Sequence, residues 1–113
     1  MIEVTIIEYL SGQLTVPVYG GMPSHPPASF VTVEKTGGRR ENRLDAATLS
    51  VQSWAASIEQ AAQLNEQVKA AMFDSVELDS ISSCDLDTDY NYTDSVRQRP
   101  RYQAVFDLVY YDD

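Results

Sequence analysis

The sequence predicts an α+β fold: a single domain, residues 1–113, with a mainly antiparallel, mixed sheet of four to five strands. A long central helix and a short N-terminal helix are expected to pack on that sheet. Three observations support this prediction. Residues Ser57 to Asp74 have helical periodicity, the flanking segments alternate apolar and polar residues as strands do, and 113 residues suffice for one modest core.

The central helix is the most strongly predicted element. Its apolar residues recur three and four positions apart, which places them on one face, and no glycine or proline interrupts them. Ser57 and Gln60 match the capping box that satisfies backbone N–H groups in a first helical turn. The helix therefore has a face suited to covering a sheet. That face is predicted to comprise Ile58, Ala61, Leu64, Val68, Ala71 and Met72.

The N-terminal third is predicted to hold a helix, a short strand and a loop. Ile2 to Leu14 is apolar on nearly every side, and a short helix that stops near Gly12 is expected there. Val16 to Tyr19 is predicted as a brief strand. Gly20 to Ser29 contains two glycines and three prolines and is therefore predicted to be a loop.

The first of two predicted hairpins precedes the central helix. Phe30 to Thr36 and Leu44 to Trp54 have strand character, and Gly37 to Arg43 supplies the glycines and charges of a turn. The antiparallel pairing of these strands forms the first half of the sheet.

The second predicted hairpin follows the central helix. Ile81 to Tyr92 and Arg101 to Tyr111 are expected to be strands, joined by the polar, basic loop Thr93 to Pro100. In the earlier strand, alternation places four residues on one face: Cys84, Leu86, Tyr90 and Tyr92. Five tyrosines crowd this hairpin, and two roles remain open for them, packing across strands or exposure at an interface. They are Tyr90, Tyr92, Tyr102, Tyr110 and Tyr111.

The charges are segregated along the chain, although the net charge is −9 and the pI is near 4.3. All six arginines fall at the two hairpin turns, and the segment from Asp74 to Asp94 holds seven acids and no base. Arginine without lysine favours geometry-specific contacts, although simple solvated loops would also explain it. Patches of opposite sign suit head-to-tail packing of identical copies into a ring. The residues predicted for contacts between subunits are Arg39, Arg40, Arg43, Arg97, Arg99 and Arg101, and those for a complementary acidic surface are Asp85, Asp87, Asp89 and Asp94.

Catalytic, cofactor and metal sites are not predicted. Asp85, Asp87 and Asp89 resemble the opening of a calcium loop, but Tyr90 and Val96 replace the glycine and glutamate that such a loop requires. One cysteine and one histidine give no zinc spacing, and no pattern supports nucleophilic catalysis.

Cellular location is predicted from what the sequence contains. A single cysteine allows no internal disulfide, the N-terminus carries no basic leader, and no apolar run approaches the ~20 residues of a membrane span. An intracellular protein without membrane contact is therefore expected.

Three stretches resemble one protein family: FVTVEKTGG (Phe30–Gly38), LSVQSWAASIEQAAQLNEQVKAAM (Leu49–Met72) and DYNYTD…RYQAVFDLVYY (Asp89–Tyr111). They are similar to the tail terminator, or tail-to-head joining, proteins of long-tailed bacteriophages and prophages. The resemblance implies a non-enzymatic virion protein that caps the completed tail tube as a homohexameric ring. Its implied partners are itself, the major tail tube protein and the head connector proteins, with DNA passing through the lumen unbound. The resemblance implies that the six arginines contact the neighbouring subunit or the tube, and that the four acids line the lumen or a complementary surface. Its implied location is the head-proximal end of the tail, after assembly in the host cytoplasm.

Two alternative functions are open. A head-completion or connector protein would share the virion context but sit on the portal side. An acidic inhibitor that mimics DNA would explain the net charge of −9, but the clustered arginines interrupt the continuous acidic track that a mimic needs.

Overall fold

The central helix begins and ends close to the predicted positions. A computed structural model describes residues 1–41 and 44–111, and in it α2 runs from Ile58 to Phe73. Ser57 Oγ accepts a hydrogen bond from the Gln60 backbone N–H at 3.2 Å, so the predicted N-cap is confirmed. Five of the six residues predicted for the apolar face are buried, and the sixth, Ile58, is half-buried.

Helix α1, Ile2–Gln13, packs beside α2. Ile2, Ile6 and Leu10 are its buried residues, and their spacing of four positions explains why a uniformly apolar segment forms an amphipathic contact. The Tyr9 hydroxyl donates a hydrogen bond to the Ala71 carbonyl oxygen (2.7 Å), which links the two helices.

The sheet has five strands in the spatial order β1-β2-β3-β5-β4. The short strand β1 is parallel to β2, and every other neighbouring pair is antiparallel, so the predicted mixed α+β sheet is confirmed. A single turn of 3-10 helix, Asp74–Glu77, connects α2 to β4. The strands are β1 (Val18–Tyr19), β2 (Phe30–Glu41), β3 (Leu44–Trp54), β4 (Ile81–Asn91) and β5 (Arg101–Tyr110).

The core lies between one face of the sheet and the two helices. Phe106 at its centre is fully buried, and Val68 of α2 belongs to the same cluster. Burial of apolar surface on this scale is the main force that holds such a domain together. The strand residues in the cluster include Val31, Val33, Leu49, Val51, Ala104, Phe106 and Leu108.

The loop predicted at Gly37 to Arg43 is wrong for its first five residues. Strand β2 continues through Gly37 and Gly38 to Glu41, and it keeps its pairing with β3, from Gly37 opposite Thr48 to Glu41 opposite Leu44. The glycines instead follow a register shift between Lys35 and Gly37, and glycine in a strand often marks such a bulge.

The prediction that Cys84, Leu86, Tyr90 and Tyr92 share one face is also wrong. Register shifts in β4 lie between Ile81 and Ser83 and between Leu86 and Thr88. One extra residue in a strand exchanges the faces of everything beyond it. Cys84 and Leu86 therefore contact the core, whereas Tyr90 lies on the opposite face.

The two long hairpins turn at opposite ends of an elongated molecule that measures 43 × 24 × 24 Å. Strands β2 and β3 remain paired as far as Glu41 and Leu44 at one end, and the β4–β5 loop lies beyond the pair Trp54–Arg101 at the other. Nine steps along β3 separate Asp45 from Trp54, which corresponds to roughly 30 Å at strand spacing.

Candidate functional site: the helix-free sheet face and its arginine-bearing ends

The sheet has one face without helices, referred to below as the open face. Strand alternation places on it the residues that lie between the core positions of β2, β3 and β5. Its central members are Phe30, Thr32, Glu34, Ser50, Gln52, Trp54 and Gln103.

A continuous hydrogen-bonded ladder of side chains crosses four strands of the open face. Trp54 Nε1 donates to Thr32 Oγ1 (3.0 Å), and Thr32 Oγ1 donates to Gln52 Oε1 (2.7 Å). Gln52 Nε2 donates to Gln103 Oε1 (2.7 Å), and Gln103 Nε2 donates to the Tyr90 hydroxyl. Thr32, Gln52 and Gln103 are only 6–9% exposed. Satisfied buried polar groups make this part of the face rigid.

Next to the ladder, aromatic rings and two guanidinium groups stack across the same strands, and the Arg99 guanidinium lies 5.5 Å from the Phe30 ring centroid. Phe30 and Trp54 are parallel, with ring centroids 5.4 Å apart, and Tyr19 meets Phe30 edge-on. The Arg101 guanidinium lies between the Trp54 ring (4.6 Å) and the Tyr92 ring (4.2 Å), and its Nε donates to the Tyr92 carbonyl oxygen (2.6 Å). The cation thus joins β3 to the end of β4.

The β4–β5 loop is organised around a buried carboxylate. Asp94 Oδ1 accepts hydrogen bonds from the backbone N–H groups of Val96 (2.9 Å) and Arg97 (3.0 Å), and Arg97 Nη1 donates to Oδ2 (2.6 Å). These bonds, with the Arg97 backbone bond foremost, lower the pKa of Asp94 from 3.8 to about 2. Arg99 Nη2 donates to the Pro27 carbonyl oxygen (2.8 Å) and so fastens this loop to the proline-rich one.

A groove of about 540 Å³ lies on the open face beside this loop. Its floor is the ladder, and the Arg97 and Arg101 side chains form part of its wall. Gly20, Gly21 and Met22 line the other side. Neutral hydrogen-bonding groups and two cations can bind an acidic or polar partner there.

The second arginine cluster has a different environment. Arg40 Nε pairs with Asp45 Oδ1 at 3.1 Å across the hairpin, and its side chain is 63% exposed. Arg39 is exposed on β2, and Arg43 lies outside the described residues. The predicted roles of all six arginines as subunit or tube contacts stay predictions, but Arg97, Arg99 and Arg101 also stabilise their own chain.

The four acids predicted for one surface do not lie together. Asp85 and Asp87 are exposed on β4, the outer strand of the sheet. Asp94 is only 7% exposed and bonded within its loop, so its placement on an open acidic surface is wrong. Asp89 is turned towards α2, because the bulge at Asp87 shifts the alternation.

Asp89 joins the outer strand to the central helix. Its Oδ2 accepts hydrogen bonds from Asn65 Nδ2 and from Lys69 Nζ, both at 2.9 Å. Lys69 also pairs with Glu66 at 2.8 Å. The hydrogen bonds that Lys69 donates to Glu66 and to Asp89 raise the pKa of Lys69 above its ordinary value. The buried Asn65 thus links α2 to β4 through its hydrogen bond to Asp89, a contact that helical periodicity did not reveal.

The one cysteine, Cys84, and the one histidine, His25, lie in different environments. Cys84 is buried, and desolvation raises the pKa of its thiol to about 11, so the thiol stays protonated and unreactive at neutral pH. His25 is exposed, with Nδ1 3.3 Å from Ser24 Oγ. Within residues 1–41 and 44–111, no group of three or more His, Cys, Asp or Glu side chains could hold a metal ion.

The tyrosines divide between the two predicted roles. Tyr110 is buried in the core, whereas Tyr90, Tyr92 and Tyr111 are 40–54% exposed. Tyr90 and Tyr92 contact each other edge-on, with centroids 5.6 Å apart. Packing and exposure therefore both occur.

Sequence reasoning missed the ladder residues Thr32, Gln52 and Gln103. A signal was present, since Thr48, Ser50 and Gln52 alternate with apolar residues along β3. That alternation gives the polar face, but the partner of each residue depends on strand register.

Comparison with known proteins adds no relative. No protein-family model matches the chain, and a search of curated proteins found no similar sequence. Among the described residues, the helices are too short or too polar to cross a membrane. Fold and surface thus define an α+β protein with one helix-free sheet face and arginines at both ends.

Proposed function

We propose that this chain is a structural virion protein of long-tailed bacteriophages or prophages, and that it closes the completed tail tube as a homohexameric ring. In that role it stops addition of the tube protein and offers a surface to the connector proteins of the filled head. It works by binding, without catalysis. The resemblance of its strands and central helix to tail terminator proteins supports this function.

The observation that carries the proposal is the opposite placement of the two arginine-bearing ends. Arg40 and Arg101 are separated by roughly 30 Å along the sheet. Ends on opposite sides of one protomer face different partners, and contacts between the copies themselves close a ring when the rotation between them allows.

The charge of the chain suits a ring that DNA traverses. A net charge of −9 repels phosphate on average, so a lumen formed by this protein would not retain DNA. A DNA-mimic function is less well supported, because Asp89 and Asp94 are bonded to Lys69 and Arg97 of their own chain. Their charges are not free to form a continuous track.

Electron microscopy with purified tail tubes tests the proposal. The tubes should come from the phage or prophage encoded in the same genome, and the solution mass of the free protein should be measured alongside. Rings at tube ends, and shorter tubes when the protein is added during tube assembly, are the expected results. Binding to heads alone would favour the connector function, and binding to neither would refute both.

A pair of variants with equal charge change sharpens this test. Arg39→Glu changes the charge by −2 at one end of the sheet, and Gln63→Glu with Gln67→Glu makes the same change on exposed positions of α2. We expect Arg39→Glu to reduce capping and the α2 variant to cap normally. Equal loss in both would mean that net charge, not the hairpin end, controls binding.

A further inference from the structure

The sheet has two unpaired edges whose exposed charges are opposite in sign. Among residues 1–41 and 44–111, β4 pairs with β5 alone, and its exposed acids Asp85 and Asp87 define what we call the acidic edge. Within the part of the chain that the structure describes, β2 pairs with β1 at Val31 and Thr32 alone, and the rest of β2 forms the basic edge. It carries the exposed cations Lys35, Arg39 and Arg40 against the exposed acid Glu34.

We propose that the acidic edge of one copy pairs with the basic edge of the next copy, so that one sheet continues from protomer to protomer. This seam rests on the proposed function, since it specifies how the ring closes. Its partner is a second copy of this chain, recognised by backbone hydrogen bonds along the strands and by opposite charges beside them.

Strand direction supports the seam. Neighbours alternate along β2, β3, β5 and β4, so β4 runs antiparallel to β2 within one copy. Copies related by rotation about a ring axis therefore bring β4 beside an antiparallel β2. The antiparallel pattern of the sheet continues across the seam without reversal of any protomer.

Strand register places the opposite charges at the same level. Asp85 lies opposite Asp107, Asp107 opposite Thr48, and Thr48 opposite Gly37. Asp85 is thus level with Gly37, which lies between Lys35 and Arg39 in β2. An unstaggered seam would bring Asp85 of one copy level with the neighbour's Gly37 and onto the same helix-free face as its Arg39, whereas Lys35, before the β2 bulge, lies opposite the core residue Leu49 on the other face.

The second acid and the bulges follow the same register. Leu86 is level with Lys35 through Phe106 and Leu49, and Asp87 comes directly after Leu86. Lys35 is followed by the β2 bulge at Thr36, and Leu86 is followed by the β4 bulge at Asp87. Both edge strands therefore depart from regular pairing at nearly the same position along the sheet. Bulges bend strands, and bends at matching heights favour continuous contact.

Charges on the edges explain why like edges stay apart. Exposed charged residues on an outer strand prevent it from pairing indiscriminately. Two acidic edges repel each other and so do two basic edges, whereas one of each attracts. The same residues therefore select the head-to-tail arrangement and disfavour a two-fold dimer.

A charge-exchange experiment tests the seam by sedimentation velocity of the purified chain. Variant A carries Asp85→Arg and Asp87→Arg, and variant B carries Lys35→Glu and Arg39→Glu. Alone, each has two edges of one sign, and we expect the apparent dissociation constant for self-association to rise roughly 100-fold. Mixed in equal amounts, A and B have complementary edges again, and closed multimers should return.

A control variant separates the seam from net charge. Glu8→Arg with Glu59→Arg makes the same charge change as variant A on exposed helix positions, and it should assemble like the parent. Far-UV circular dichroism and Trp54 fluorescence should show every variant folded. A parent chain that stays monomeric, single variants that assemble normally, or an A–B mixture that stays dissociated would each overturn the seam.

The outcome is independent of tail capping. Recovery of multimers in the A–B mixture without binding to tail tubes would keep the seam and refute the proposed function. Capping by both single variants would keep the function and refute the seam.

Discussion

Replacing Arg101 by methionine isolates the contribution of its stacked guanidinium. The guanidinium lies 4.6 Å from the Trp54 ring centroid and 4.2 Å from that of Tyr92, and Nε donates to the Tyr92 carbonyl oxygen. A cation–π contact at an exposed site contributes about 0.5–1 kcal/mol, and a hydrogen bond from a charged donor about 1.5–3 kcal/mol. Arg101 is half-buried and so remains partly solvated, which favours the lower end of each range. About 0.5 kcal/mol for the stacking and about 1.5 kcal/mol for the hydrogen bond give an expected loss of stability of about 2 kcal/mol.

The measurement is urea unfolding followed by fluorescence. Trp54 is the only tryptophan and contacts the guanidinium directly, so one signal reports the stack and global unfolding. With a denaturant dependence of about 1–2 kcal/mol/M, the midpoint should fall by roughly 1–2 M. Arg101→Lys should lose part of this stability, because lysine keeps the charge but lacks the planar group.

Arg39→Met is the matched control, since Arg39 is exposed on β2. Its free energy of unfolding, measured at concentrations that keep the chain monomeric, should change by no more than about 0.5 kcal/mol. If Arg101→Met proved equally neutral, the stack would not stabilise the fold, and Arg101 would be available for contacts with a partner.

Three other perturbations have clear expectations. Val68→Asp places an unpaired charge in the core and should abolish cooperative unfolding measured by circular dichroism, whereas Gln67→Asp, on the exposed side of α2, should fold. The lowered pKa of Asp94 means that its ionised form stabilises the fold above about pH 4, and that this contribution is lost as the pH falls through about 2. The melting temperature of the parent should therefore exceed that of Asp94→Asn at pH 5 and approach it near pH 2, and a constant difference would contradict this assignment. Cys84, buried and with a raised pKa, should react with a thiol reagent only as fast as the protein opens, and rapid labelling at pH 7.5 would show that it is accessible.

Periodicity predicted the elements because it depends on neighbours in sequence. Helix α2 and both hairpins follow from local spacing of apolar residues, and hydrophobic burial then fixes which faces meet. The N-terminal helix was predicted instead from a uniformly apolar run that stops near Gly12, because periodicity there does not distinguish a helix from a strand. The bulge at Asp87 could not be predicted in this way. Leu86 and Tyr90 are four residues apart, so simple alternation assigns them to one face, and one inserted residue reverses that assignment.

The site was predicted only in outline. Arg97 and Arg99 lie in the β4–β5 loop and Arg101 begins β5 as predicted, but Arg39 and Arg40 lie in the strand β2, and partners distant in sequence were hidden. Arg99 bonds to Pro27, 72 residues earlier, and nothing near either residue indicates that contact. Asp94 belongs to an acid-rich segment by composition, yet its carboxylate is buried because it accepts hydrogen bonds from the backbone N–H groups of Val96 and Arg97.

The contact of Asp89 with Asn65 and Lys69 has a consequence for any partner of β4. An outer strand held only by its neighbour in the sheet can fray, and fixing it on association then costs conformational entropy. Here α2 holds the C-terminal part of β4 through Asp89. The strand therefore has its ordered conformation before any partner binds. Preorganisation of this kind favours slow dissociation, which the proposed role as a tail cap would require.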